Sequence, residues 1–123
     1  MANRILIVDD SPGFRAVAAE LLAERGFDVL APAGDGEQAL AAVEHGCPDG
    51  ILLDINLPGR DGFAVAALLA AVCPAARIVL TSADFARLTD AMLKGCAAAA
   101  FVAKEDFATA DLGHLFRKKP AGT

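Results

Sequence analysis

The sequence predicts an α/β fold, a doubly wound, five-stranded parallel sheet with five helices distributed over both of its faces. Two observations carry the prediction. Five short, almost wholly apolar runs lie at residues 5–8, 29–31, 51–53, 78–80 and 99–102, and the stretches after them show the 3.6-residue period of a helix. Because the runs lack polar alternation, the strands they form are buried on both faces, as in a parallel sheet covered by helices. With 123 residues, 55% of them hydrophobic and 22% charged, the chain is sized for one core.

Each element has its own signals. After the first strand, Ser11 and Pro12 supply an N-cap and a proline at the first helical position. Phe14, Val17, Leu21 and Leu22 then fall on one stripe of the helical period, and Gly26 stops the helix. Asp35 caps the second helix, which carries Glu37 and Gln38, turns Ala39, Leu40 and Val43 inward and stops at Gly46. Pro58 and Gly62 punctuate the loop after the third strand. The following segment, residues 63–72, is apolar almost all round, so it is either deeply packed or partly offered to a partner. Phe85, Leu88, Met92 and Leu93 predict a fourth helix, stopped at Gly95, and Ala108, Leu112, Leu115 and Phe116 a fifth. Residues 1–119 are expected to form a single domain, with residues 120–123 a disordered tail.

Several function classes are disfavoured. The longest apolar runs, residues 64–72 and 96–103, fall well short of the roughly 18 residues of a membrane span, and the N-terminus lacks a signal-peptide pattern. A cytoplasmic location without membrane contact is expected. A net charge of −5, with only Arg117, Lys118 and Lys119 clustered, disfavours direct nucleic-acid binding. Cys47, Cys73 and Cys96 are odd in number and lack CxxC spacing, which argues against disulfides and zinc and predicts reduced thiols. His45 and His114 read as surface residues.

In a doubly wound sheet the ligand site lies beyond the carboxyl ends of the strands. Here the first strand ends in Asp9 and Asp10, the third in Asp54 and the fourth in Thr81 and Ser82, while the fifth runs through Phe101 to Lys104. Three converging carboxylates cannot all remain ionised without a cation. The donors are hard oxygens, which favours Mg2+, with Mn2+ able to substitute. Magnesium commonly shares carboxylates with a phosphate, so the pattern points to phosphoryl chemistry. Lys104 and Thr81 fit as donors to phosphoryl oxygens, and a carboxylate beside the metal can act as the nucleophile.

These residues resemble the receiver domain of two-component response regulators over essentially the whole chain. The resemblance is carried by Ile5-Leu-Ile-Val-Asp-Asp-Ser-Pro, Asp35-Gly-Glu-Gln-Ala-Leu, Leu52-Leu-Asp-Ile-Asn-Leu-Pro-Gly-Arg-Asp-Gly-Phe, Val79-Leu-Thr-Ser and Phe101-Val-Ala-Lys. It implies a flavodoxin-like, CheY-like sheet of order 2-1-3-4-5. It also implies Asp54 as phosphoacceptor, a metal set of Asp9, Asp10, Asp54 and the backbone carbonyl of Asn56, and Lys104 as the partner of the phosphoryl group. Thr81 and Phe101 resemble the pair that transmits phosphorylation, although a phenylalanine at a strand end fits core packing equally well. Three departures stand out. Glu105 follows Lys104 where most receivers have proline, so no cis peptide is expected there; Ser82 occupies a position usually given to a smaller residue; and an alanine run lengthens the approach to Phe101.

The resemblance implies a phosphoryl donor in the form of a sensor histidine kinase or phosphotransfer protein. The output would be a downstream protein target bound through the fourth helix, fifth strand and fifth helix, by a monomer or a phosphorylation-dependent dimer. It implies no enzymatic activity beyond the chain's own phosphorylation and dephosphorylation. A stand-alone receiver is expected, with a fragment of a NarL-type DNA-binding regulator as the alternative. An unphosphorylated scaffold is less favoured. An aspartyl-phosphate phosphohydrolase is also less favoured, because Asn56 stands where such enzymes place a second acid.

Overall fold

The computed structural model describes residues 3–84, 89, 92 and 94–116. Apolar residues dominate its strands: β1 (Arg4–Val8), β2 (Asp28–Val29), β3 (Gly50–Asp54), β4 (Arg77–Ser82) and β5 (Ala100–Ala103). All pairings are parallel and the order is β2-β1-β3-β4-β5, as expected. Parallel neighbours need crossover connections, and among the described residues these include α1 (Pro12–Glu24), α2 (Gly36–Val43) and α3 (Gly62–Val72). A 3-10 helix at Lys104–Thr109 and a short α-helix at Leu112–Phe116 follow β5.

Alternation along the strands divides the core into two layers. Leu6, Val8, Ile51, Leu53, Ile78 and Leu80 pack with Ala39 and Val43 of α2 and Val65, Ala66 and Leu69 of α3. On the opposite face Ile5, Ile7, Leu52, Val79 and Val102 meet Ala18 and Leu22 of α1, with Phe107, Leu112 and Phe116. The sheet is thus clothed on both sides, which explains why its strands carry no polar alternation. The caps read from the sequence are present: the side chains of Ser11 and Asp35 accept from the N–H groups of Phe14 and Gln38 at 3.3 and 2.8 Å.

Some expectations need correction. The second strand is two residues long, because Pro32 lacks the N–H that would continue the ladder; pairing resumes as an isolated bridge between Val8 and Ala33. The final stripe is not one helix. It is divided at Ala110 and Asp111 between the 3-10 turn, which aims Phe107 into the core, and the short helix capped by the Asp111 side chain on His114 N at 3.0 Å. In the fourth helix's stripe, Phe85, Leu88 and Leu93 lie outside the described residues, as do residues 117–123, which include the basic cluster and the expected tail. The apolar third helix is buried on one side and exposed on the other: Val65, Ala66 and Leu69 are buried, whereas Leu68 and Val72 are 42% and 52% exposed.

The cysteines overturn the reduced-thiol expectation. Cys47 and Cys73 form a disulfide with their Cα atoms 5.6 Å apart. No CxxC spacing announces it. Cys47 follows α2 and Cys73 caps the C-terminus of α3, and these two helices lie side by side on one face of the sheet, so residues 26 apart in sequence become neighbours.

Candidate functional site

The carboxyl ends of β1, β3, β4 and β5 bring together residues far apart in the chain. Asp9 follows β1 directly, and its Oδ1 accepts from Ser11 N at 2.8 Å. Its backbone is fixed on both sides, the N–H donating to Ala33 O at 3.0 Å and the carbonyl accepting from Arg15 Nη1 at 3.1 Å. Asp54 is the last residue of β3, and its Oδ1 accepts from Asn56 N at 3.0 Å. Both carboxylates are buried; Asp10 beside them is exposed. One oxygen from each of Asp9, Asp10 and Asp54 lies within 4.8 Å of the others.

Against this negative charge the sheet sets one ammonium. Lys104 Nζ lies 2.8 Å from Asp9 Oδ2 and 3.3 Å from Asp54 Oδ2. The Asp54 contact has hydrogen-bond geometry; the shorter one is an ion pair whose angles leave Asp9 Oδ2 without an aligned donor. Lys104 is paired with two of the three carboxylates, and the crowding registers electrostatically. Burial pushes the Asp54 carboxyl above its ordinary pKa; the Asn56 N–H opposes the shift, the neighbouring Asp9 adds to it and Lys104 opposes it. For Lys104 burial acts downward, but contact with Asp9 and the charges of Asp54 and Asp9 outweigh it and hold the ammonium above the usual lysine value. A further cation at Asp9, Asp10 and Asp54 would relieve this excess, and an all-oxygen set suits a hard divalent ion.

Thr81 is the register partner of Asp54 on β4. Its hydroxyl is buried without a hydrogen-bond partner. Ser82, next in the chain and also buried, accepts from Asn56 Nδ2 at 3.3 Å and Asp84 N at 3.0 Å, so it ties the loop after β3 to the end of β4. Beside it opens a cleft of about 570 Å³ lined by Asn56, Arg60, Asp61, Ser82 and Asp84 among others. Phe101 is half-buried on β5 and packs on the α2–α3 side of the sheet, in register with Leu80. The Lys104–Glu105 peptide is trans, as expected without proline.

Two contributors escape a reading by motif. Gly62, taken as loop punctuation, sits against the acceptor strand: a Cβ there would come within 2.4 Å of Ile55 Cα and 2.8 Å of Asp54 O. Phe14, taken as part of the core stripe of α1, places its ring under Lys104, with Nζ 4.7 Å from the centroid. The spacing Ser11 to Phe14 puts this ring on the first turn of α1, facing the strand ends, but nothing in a linear pattern says which ammonium lies above it.

Comparison with known proteins places the chain as a whole. The family model described as the response regulator receiver domain matches residues 5–115. Chemotaxis protein CheY of Bacillus subtilis is 37% identical over 83 residues, covering 68% of this chain and 69% of that protein. Transcriptional regulatory protein PdtaR of Mycobacterium tuberculosis is 36% identical over 80 residues, covering 65% of this chain but only 39% of PdtaR. The crystal structure of response regulator protein TrrA from Thermotoga maritima, in complex with Mg2+ and BeF, superposes with a TM-score of 0.72 at 35% identity, covering 82% of this chain and 85% of that one.

Proposed function

The chain belongs to the response regulator receiver domain family, and on that premise we propose that Asp54 accepts a phosphoryl group in a magnesium-dependent reaction. The observation that carries this reading is the set of Asp9, Asp10 and Asp54 within 4.8 Å, with Lys104 bound to two of them. Asp9, Asp10, Asp54 and the backbone carbonyl of Asn56 would hold Mg2+, which Mn2+ can replace. The solved complex of TrrA with Mg2+ and BeF supports the assignment. The bound ion would neutralise the crowded carboxylates and the incoming phosphoryl oxygens.

This chain's own groups do the rest. An Asp54 carboxylate oxygen attacks phosphorus, forming an O–P bond as the bond to the donor's leaving atom breaks. Lys104, 3.3 Å from Asp54 Oδ2, pairs with the phosphoryl oxygens, which spread the negative charge. Thr81 brings its unpartnered hydroxyl to a phosphoryl oxygen, and its departure makes room for Phe101 to turn inward. The chain acts only on itself, catalysing its own phosphorylation and dephosphorylation.

A phosphohistidine on a sensor kinase or phosphotransfer protein is the proposed donor. The proposed output is a protein target at the surface of the fourth helix, fifth strand and fifth helix, bound by residues 1–119 as one cytoplasmic unit. No helix among the described residues is long and apolar enough to cross a membrane.

Acetyl phosphate with Mg2+ tests the reading. Intact-mass measurement should show one added phosphoryl group, abolished by chelation and by Asp54→Asn. Equal labelling of wild type and Asp54→Asn would overturn it.

A further inference from the structure

We propose that Phe14 is a positioning residue for Lys104, its ring serving as the seat from which the ammonium addresses Asp54 and the incoming phosphoryl group. The inference deepens the phosphoacceptor reading of Asp54 and rests on it. Lys104 Nζ stands 4.7 Å from the Phe14 centroid while also 2.8 Å from Asp9 Oδ2 and 3.3 Å from Asp54 Oδ2. A cation over an aromatic face is attracted by the ring quadrupole, and the attraction grows where water is thin. The lysine side chain is only 17% exposed.

The ring is itself held. Phe14 packs edge-on against Phe107, with centroids 5.6 Å apart and planes at 65°. Phe107 is 1% exposed and lies in the 3-10 turn that begins at Lys104. At the other end, the Phe14 N–H donates to the Ser11 side chain, and Ser11 N in turn donates to Asp9 Oδ1. The residue that seats the lysine is therefore tied at one end to a carboxylate the lysine pairs with, and at the other to the turn the lysine starts.

The seat has a chemical use. A divalent ion held by Asp9, Asp10 and Asp54 would cancel part of the negative charge that holds Lys104, so a hold that does not depend on that charge keeps the ammonium in the site. Asp9 and Asp54 hold Lys104 by charge that a metal cancels. The ring holds it by a quadrupole that a metal bound on the carboxylates leaves intact. Lys104 then remains beside Asp54 when the phosphoryl group arrives, instead of extending into solvent.

Progressively fluorinated phenylalanines at position 14 separate this role from packing, because fluorine drains the ring's negative face with little change of shape. With acetyl phosphate and Mg2+, the phosphorylation rate of the full chain should fall stepwise with fluorination, by about three- to tenfold at the most fluorinated ring. The melting temperature should stay within the scatter of the series. Phe14→Leu should match the slowest member and Phe14→Tyr should restore most of the rate. A rate that ignores fluorination, or tracks only melting temperature, overturns the proposal. An arm that needs no phosphorylation is the NMR shift of the Lys104 ε-methylene, expected upfield under the ring in the wild type and normal in Phe14→Leu. Identical shifts in the two proteins also overturn it. Absence of phosphorylation in the wild type, with the ring-current shift present, would instead sink the phosphoacceptor reading.

Discussion

Asp54 and Thr81 are register partners on adjacent parallel strands, and the Thr81 hydroxyl beside the acceptor is fully buried with no hydrogen-bond partner. A buried orphan hydroxyl costs about 1–3 kcal/mol, so something other than the stability of this state retains it. Thr81→Val, which keeps the shape and removes the orphan, should leave melting temperature unchanged or raise it. The same variant should weaken the response to beryllofluoride, read as the chemical-shift change of β4 and β5 amides. A clear loss of stability would mean that the hydroxyl is satisfied in the resting protein.

Asp54 carries a net penalty that its pairing with Lys104 only partly offsets while no divalent ion is bound, so Asp54→Asn should raise the stability of the metal-free protein. The sign follows from linkage. A carboxyl whose folded pKa is raised costs nothing below its unfolded pKa of about 4, and its penalty grows as pH rises from there toward the folded value. The advantage of Asp54→Asn should thus be absent at pH 3 and reach a plateau above the folded pKa. Thermal melts across pH in the presence of chelator check this.

Lys104 titrates in the opposite sense. Its folded pKa is raised, so its stabilising contribution is fully present below the unfolded value of about 10.4 and disappears as pH rises through the folded one. Lys104→Met should be less stable than wild type at neutral pH because it leaves buried Asp9 and Asp54 facing each other without their cation. Millimolar Mg2+ should recover part of the loss, which a titration followed by melting temperature would show.

Gly62 and Gly36 differ in what an added methyl would meet. At Gly62 the obstacle is the Asp54–Ile55 backbone at 2.4–2.8 Å, which cannot yield without moving the acceptor strand. At Gly36 it is side-chain atoms, Val65 Cγ2 at 2.8 Å and Arg60 Cδ at 3.3 Å, with no backbone in the way. Gly62→Ala should cost about 3 kcal/mol and slow phosphorylation, while Gly36→Ala should cost less, since only side chains have to shift and alanine favours the helix. Denaturant melts of the two variants side by side provide the comparison.

Reducing the Cys47–Cys73 bridge should destabilise the protein by about 3 kcal/mol, or roughly 10 °C, because the bridge closes a loop that contains all of β3 and α3. Cys47 is exposed and should be the sulfur that a small dithiol attacks. Melting with and without dithiothreitol, alongside Cys47→Ser, measures the effect; equal curves for oxidised and reduced protein would contradict it.

Sequence alone was sufficient for the sheet, the two-sided burial and the convergence of Asp9, Asp10, Asp54, Thr81 and Lys104. These follow from apolar runs and from what stands at the end of each run, and a parallel sheet brings such ends together whatever the details of its helices. The N-caps Ser11 and Asp35 were legible for the same reason, since a cap bonds within three residues of itself. The Cys47–Cys73 bridge, the seat of Lys104 on Phe14, the contact of Gly62 with Ile55 and the orphaned Thr81 hydroxyl were decided by tertiary structure. Each depends on the distance between elements remote in sequence, or on the burial of one atom, and neither quantity has a linear signature. Asp54 could therefore be found from its neighbours in the chain, whereas the charge balance around it, and the aromatic ring that holds its lysine, exist only once the strands and helices have packed.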